Sequence, residues 1–220
     1  MPQHLQRELD TLQKKLLSLS SLVEEQVITA VNSVEKRDIP AAQRVITFDK
    51  NIDMLEIEVE EDCLKLLALH QPVAIDLRFI IAVLKINNDL ERIADLAANI
   101  ADRVVILSEG ESFTFNTKLM TMCEKVVLML RECLDSLFKM DVSIAYKVCK
   151  SDDDIDDLNR EIVRYVKDEI TRIPKNVNGY LLLLSVARNL ERIADHATNI
   201  AEDVIYMISG DIVRHRVNKT

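Results

Sequence analysis

The hexapeptide LERIAD occurs twice in this chain, at 90–95 and at 190–195. Its surroundings repeat as well. NDLERIADLAANIADRVV (88–105) and RNLERIADHATNIAEDVI (188–205) agree at 11 of 18 positions with an offset of 100. A match of this length means that both halves are built on one plan, since each copy must suit the same local structure. A second register, with an offset of 103, pairs Asp38 with Asp141, Ala42 with Ala145, Val45 with Val148 and Asp49 with Asp152. It continues through Ile52 and Ile155, Asp53 and Asp156, Leu55 and Leu158, and Glu58 and Glu161. The change of offset leaves three extra residues in the first half, at HQPVAIDLR (70–78).

The repeated unit is helical. Apolar residues fall three and four apart, and no segment alternates at period two for long enough to form a strand. Three glycines, four prolines and no Trp give little turn chemistry for 220 residues, which favours a few long helices. Breakers stand at Asp38-Ile39-Pro40, His70-Gln71-Pro72, 108–112, Asp141-Val142-Ser143, 173–179 and Ser209-Gly210. They predict helices near 4–36, 39–69, 73–108, 115–139, 142–172 and 178–209. The expected fold is therefore all-α: two tandem three-helix bundles of six long helices, related by the internal repeat. The repeats span 1–109 and 115–210, followed by a tail at 211–220.

Composition excludes several function classes. The net charge of −9 argues against a broad nucleic-acid surface, and the basic tail with Arg214, His215, Arg216 and Lys219 is too short to reverse that. The longest apolar runs, 79–84 and 180–184, fall far below the roughly 18 residues that span a bilayer. The polar N-terminal stretch MPQHLQRELDTLQKKLL lacks the apolar centre of a signal peptide, so a cytoplasmic protein is expected, peripheral to the membrane at most. Cys63, Cys123, Cys133 and Cys149 show no CxxC spacing and read as buried free thiols. Asp76 and Arg78 read as a helix cap and a surface ion pair.

Packing explains the repeated apolar residues but not the repeated acids. On a helical wheel stepping about 100° per residue, Glu91, Asp95, Asn99 and Asp102 fall within about 80° of one another, away from the apolar stripe. Glu191, Asp195, Asn199 and Glu202 repeat that row. In the preceding helix of each half, Asp49 and Asp53, or Asp152 and Asp156, form a second row beside the packing seam. One [DE]xxxD motif is ordinary on a solvated helix face. Four copies stand at equivalent places here: DKNID (49–53), ERIAD (91–95), DDDID (152–156) and ERIAD (191–195). Like charges at i,i+4 cost each helix about 0.2–0.5 kcal/mol, a repulsion that a multivalent cation turns into binding. Carboxylates without thiolates suit a hard cation. Spacing alone leaves both readings open, solvated faces or metal rows that converge within each half. The halves also differ: Glu56 and Glu60 are matched by Asn159 and Val163, and Leu96 by His196, which reads as structural. A ferritin-like centre is excluded, because neither LERIAD copy has His three residues after Glu. No P-loop, G-x-G-x-x-G, H-E-x-x-H or G-x-S-x-G is present.

The paired [DE]xxxD motifs, PVAIDLR at 72–78, LERIADLAANIADRV at 90–104 and LERIADHATNIAEDV at 190–204 resemble the PhoU family of phosphate-specific transport system accessory proteins. The resemblance covers nearly all of 4–210. It implies multinuclear metal clusters of iron or another hard cation (zinc, manganese or magnesium). Their ligands would be Asp49, Asp53, Glu91 and Asp95 in the first half and Asp152, Asp156, Glu191 and Asp195 in the second. Glu56, Asn99, Asp102, Asn199 and Glu202 would flank them. It also implies a regulator without turnover of its own, which signals phosphate sufficiency between the phosphate ABC transporter, through its ATPase subunit, and a sensor histidine kinase. A homodimer is expected. The competing readings are a carboxylate-metal enzyme on a helical bundle, for which no nucleophile or base can be named, and a metal-free helical adaptor.

Overall fold

A computed structural model describes residues 3–108 and 116–211. They form six α-helices: α1 (Gln3–Lys36), α2 (Ile39–His70), α3 (Ala74–Ser108), α4 (Thr117–Lys139), α5 (Val142–Arg172) and α6 (Val177–Ser209). One 3-10 turn, Pro174–Asn176, precedes α6, and there is no strand among the described residues. The expected breakers at 109–112 and the basic tail lie outside the described residues.

Local chemistry sets the ends. Asp38 Oδ1 accepts from the Ala41 N–H at 2.9 Å and opens α2, with Pro40 in the first turn, where its missing N–H costs nothing. Asp141 repeats the device on α5, accepting from the N–H groups of Ser143 and Ile144. Asn116 caps α4 through Leu119. The three extra residues of the first half appear as an earlier start: α3 begins at Ala74, whereas α6 begins at Val177, the counterpart of Leu77.

In α1, Leu5, Leu9, Leu12, Leu16, Leu19, Val23, Val27, Ala30 and Val34 follow each other at steps of three or four, and all are buried. This seam packs on α2 and α3 to form one bundle; α4 packs on α5 and α6 to form the other. The two bundles join chiefly where α3 lies against α6. That junction has a pseudo-two-fold pattern. Lys85 Nζ donates to Asp203 at 3.0 Å, and the counterpart pair has Arg103 Nε donating to Ser185 at 3.0 Å. Residues 85 and 185, like 103 and 203, are repeat mates, so the same register of antiparallel helices is read from both sides.

The register also explains Arg78. Asp76 lies in the first turn of α3, where its charge suits the helix dipole, but no ion pair joins it to Arg78 among the described residues. Arg78 instead reaches the C-terminal end of α6. Gly210 ends that helix with φ +82, its N–H bonded to Tyr206 O at 2.9 Å, and a Cβ there would stand 2.2 Å from Arg78 Nη1. Gly210→Ala therefore meets both a left-handed backbone and a guanidinium. The expected cost is about 1–2 kcal/mol, seen as a lower midpoint in urea with an unchanged slope; an unaltered midpoint would contradict this cap.

All four cysteines are free and buried. Burial pushes the thiols of Cys63, Cys123 and Cys149 up to about 12, and raises that of Cys133 as well. They act as core residues with no thiolate available to a metal.

Candidate metal centre

In the first half, α2 and α3 bring their acid rows together. Asp49, Asp53 and Asp95 each present a carboxylate oxygen, and these oxygens lie within 4.8 Å of one another. Asp49 and Asp53 stand one turn apart on α2, and Asp95 faces them from α3. None is fully exposed, because Ile52 on α2 and Ile93 and Ala94 on α3 are buried right beside them. The narrow angle between acid row and apolar seam produces this setting. Glu91 lies one turn before Asp95, half-buried.

The electrostatics follow from that geometry. Burial, then the charges of Asp95 and Asp53, push Asp49 up to about 6. Glu91 is raised by burial and by Asp95, and Glu56 by burial and by Glu60. Arg92 offers partial relief at the rim, 3.3 Å from both Glu91 and Asp95. One guanidinium among six acids leaves the groove strongly negative.

The flanking residues are less free. Glu56 Oε1 accepts from the buried Asn87 Nδ2 at 3.0 Å, and the same amide donates to the Glu56 carbonyl at 2.9 Å. Asp102 is engaged by Arg103 at 2.7 Å, and Asn99 is exposed. Asn87 was missed in the sequence, although a signal was present: it interrupts the apolar stripe between Val83, Ile86 and Leu90 with an amide.

The second half is arranged differently. Asp152 is raised by burial and by Asp156. Asp195 has water on one side, yet burial on its other side, with Asp152 and Glu191 nearby, pushes it up to about 6. These carboxylates sense one another, but no three of their oxygens cluster as tightly as the trio in the first half. The Glu56–Asn87 pair is lost as a unit, replaced by Asn159 and Ala187. Asp152, Asp195, Asn199 and Glu202 instead line a groove of about 770 Å³ that is shared with Lys85 and Asp89 of α3. Asp89 also binds His196 Nδ1 at 2.7 Å and accepts from Asn199 at 3.5 Å. His196 thus faces α3, in keeping with a structural role.

The acids give the metal-free protein a signed pH dependence. Asp49 holds its proton up to about pH 6 when folded, against an ordinary aspartate value of 3.8. Between those values the folded state binds more protons than the unfolded chain, so the stabilising contribution is full below about 3.8 and lost as pH rises through about 6. Asp195 acts in the same direction. Melting temperatures measured in chelator from pH 4 to 7 should therefore fall less steeply in Asp49→Asn/Asp195→Asn than in the parent chain. Identical slopes would contradict the assignment.

As a donor set, the first-half trio is all oxygen and all anionic, and its spread matches the oxygen–oxygen separations around one cation bonded at roughly 2.0–2.6 Å. The residues present fit a hard cation.

Comparison with known proteins agrees with this organisation. The family model for the PhoU domain matches residues 16–104 and again 119–204. A phosphate-specific transport system accessory protein PhoU homolog of Caulobacter vibrioides is 36% identical over 205 residues, covering 93% of this chain and 89% of its own. The Pseudomonas aeruginosa homolog is 38% identical over 218 residues, covering 97% and 88%. The crystal structure of PhoU from Pseudomonas aeruginosa superposes with a TM-score of 0.91 at 36% identity, over 94% of this chain and 99% of that one. With two domain matches, relatives of nearly equal length and a shared six-helix architecture, the chain belongs to the PhoU family.

Proposed function

We propose that this protein is a metal-binding regulator of phosphate uptake that acts through contacts rather than turnover. The observation that carries the metal reading is the convergence of Asp49, Asp53 and Asp95 from two neighbouring helices. Solvated faces have no need to meet. Asp49, Asp53, Glu91 and Asp95 would hold iron or another hard cation, and Asp152, Asp156, Glu191 and Asp195 a second, weaker site. The bound metal would neutralise the groove and fix α2 against α3.

The phosphate role rests on relatives named as accessory proteins of phosphate-specific transport. Its partners would be the ATPase subunit of the transporter and the sensor histidine kinase. Exposed apolar side chains support action by contact. Leu69, Val73 and Ile75 stand out at the α2–α3 corner, and Met54, Ile57 and Leu64 along α2 offer a face for a second copy. No helix among the described residues is long and apolar enough to cross a membrane.

Deleting the gene should switch on phosphate-starvation genes in ample phosphate, and a plasmid copy should silence them again. Starvation genes that stay silent, together with unchanged phosphate uptake, would contradict the assignment.

A further inference from the structure

A second cluster of metal-ligating side chains lies outside the acid rows, where the beginning of α1 meets the end of α2. His4 and Glu8 are one turn apart on α1, and His70 is the last residue of α2. His70 Nε2 lies 2.5 Å from Glu8 Oε2, and His4 Nδ1 lies 3.4 Å from the same oxygen. The two imidazole rings are 5.7 Å apart, and the three donor atoms fall within 4.8 Å of one another. His70 and Glu8 are partly buried, with side-chain exposures of 20% and 31%, while His4 stands at the rim with 76%.

A simple ion pair between His70 and Glu8 accounts for one imidazole but not for two. If both rings were protonated around one carboxylate they would repel each other; neutral, each offers a lone pair. Two histidines and a glutamate, with room for water, make the three-ligand donor set of open zinc sites. The His4–Glu8 separation also suits it, since bonds of about 2.0–2.1 Å at tetrahedral angles put ligand atoms about 3.3 Å apart. The His70–Glu8 contact would open by less than an ångström to admit the ion. The donors further distinguish this cluster from the acid rows: imidazole nitrogen suits zinc, while carboxylates alone suit harder ions. We propose that His4, Glu8 and His70 form a zinc site that clamps the start of α1 to the end of α2, with water completing the coordination. Its effect is local: it fixes the first turns of α1, whose Leu5 and Leu9 are buried, beside the α2–α3 corner.

The test uses the full chain without any histidine tag, in an Asp49→Asn/Asp95→Asn/Asp152→Asn/Asp195→Asn background that disables the acid rows of both halves. Zn²⁺ is titrated calorimetrically, and bound zinc is counted by elemental analysis after gel filtration. The background protein should retain one zinc per chain that excess Mg²⁺ does not displace. His4→Ala and His70→Ala should each weaken it at least 10-fold, and the pair of substitutions should abolish it. Cobalt(II) in place of zinc should give the intense visible bands of a tetrahedral site, lost in the same variants. Because His4 is exposed, His4→Ala leaves the core intact and keeps the test valid even where His70→Ala disturbs folding. Absence of zinc in the background protein, or equal zinc in His4→Ala, overturns the proposal.

Discussion

Asp95→Asn is expected to strip most of the metal from the first half of the molecule, while Asp195→Asn removes less. Asp95 is the α3 member of the Asp49–Asp53–Asp95 trio and would supply the ligand that joins two helices. Its loss leaves the two α2 carboxylates one turn apart, with Glu91 of α3 outside their tight cluster. Affinity for Fe²⁺ or Mn²⁺ should fall by more than the roughly 10–100-fold typical of losing an outer-shell partner. The metal-free protein should scarcely notice. The substitution removes an exposed pair with Arg92, worth at most about 1 kcal/mol, and also relieves the repulsion that Asp95 exerts on Asp49. Melting curves with and without metal separate the two effects. The metal-induced rise should collapse while the metal-free midpoint stays nearly fixed. A variant that binds metal as tightly as the parent would return the acid rows to solvated faces.

Leu90→Ala is expected to destabilise the fold with or without metal. Leu90 opens the first LERIAD and is fully buried in the core. Truncation removes three carbons and leaves a cavity in a closely packed helical interior, at a cost of about 2–5 kcal/mol. For a chain of this length the melting temperature should drop by roughly 5–15 °C. Leu128→Ala, at a side chain 54% exposed, should stay within about 0.5 kcal/mol. Adding metal should raise the Leu90→Ala midpoint by the same increment as in the parent, because Leu90 packs and Asp95 binds. A drop confined to metal-loaded protein would mean that the two halves of the motif are not separable in this way.

Most of the fold was legible because it rests on local signals. The Asp38 and Asp141 caps, the stop at Gly210 and the three-and-four apolar spacing each act within one or two turns. The 3-10 turn at Pro174–Asn176 was not foreseen; its residues carry only the general marks of a connection. In the candidate centre, the wheel placed the acids correctly relative to each helix. It could not place one helix against another. That Asp53 meets Asp95 while the second-half oxygens stay further apart is set by helix packing, as is the α3–α6 junction, where Asp89 engages His196 and Asn199. That junction pairs residues over a hundred positions apart, and no local pattern encodes it. Asp102 is expected beside the metal; in the structure it pairs with the adjacent Arg103, whose Nε also donates to Ser185 of α6. Asp76 and Arg78 differ from the expected pair for the same reason: two apart in sequence, they serve different helices. His4 and Glu8 show the helix spacing of a ligand pair, but their third member comes from the far end of α2.

On this reading LERIAD is repeated to hold metal against the preceding helix, unequally in the two halves. Anomalous diffraction at the iron edge, from crystals grown with Fe²⁺ without oxygen, tests it most directly. A strong peak is expected within bonding distance of the carboxylates of Asp49, Asp53 and Asp95, and a weaker peak or none beside Asp152 and Asp195. A map with no peak between α2 and α3, or with its strongest peak in the second half, would contradict it.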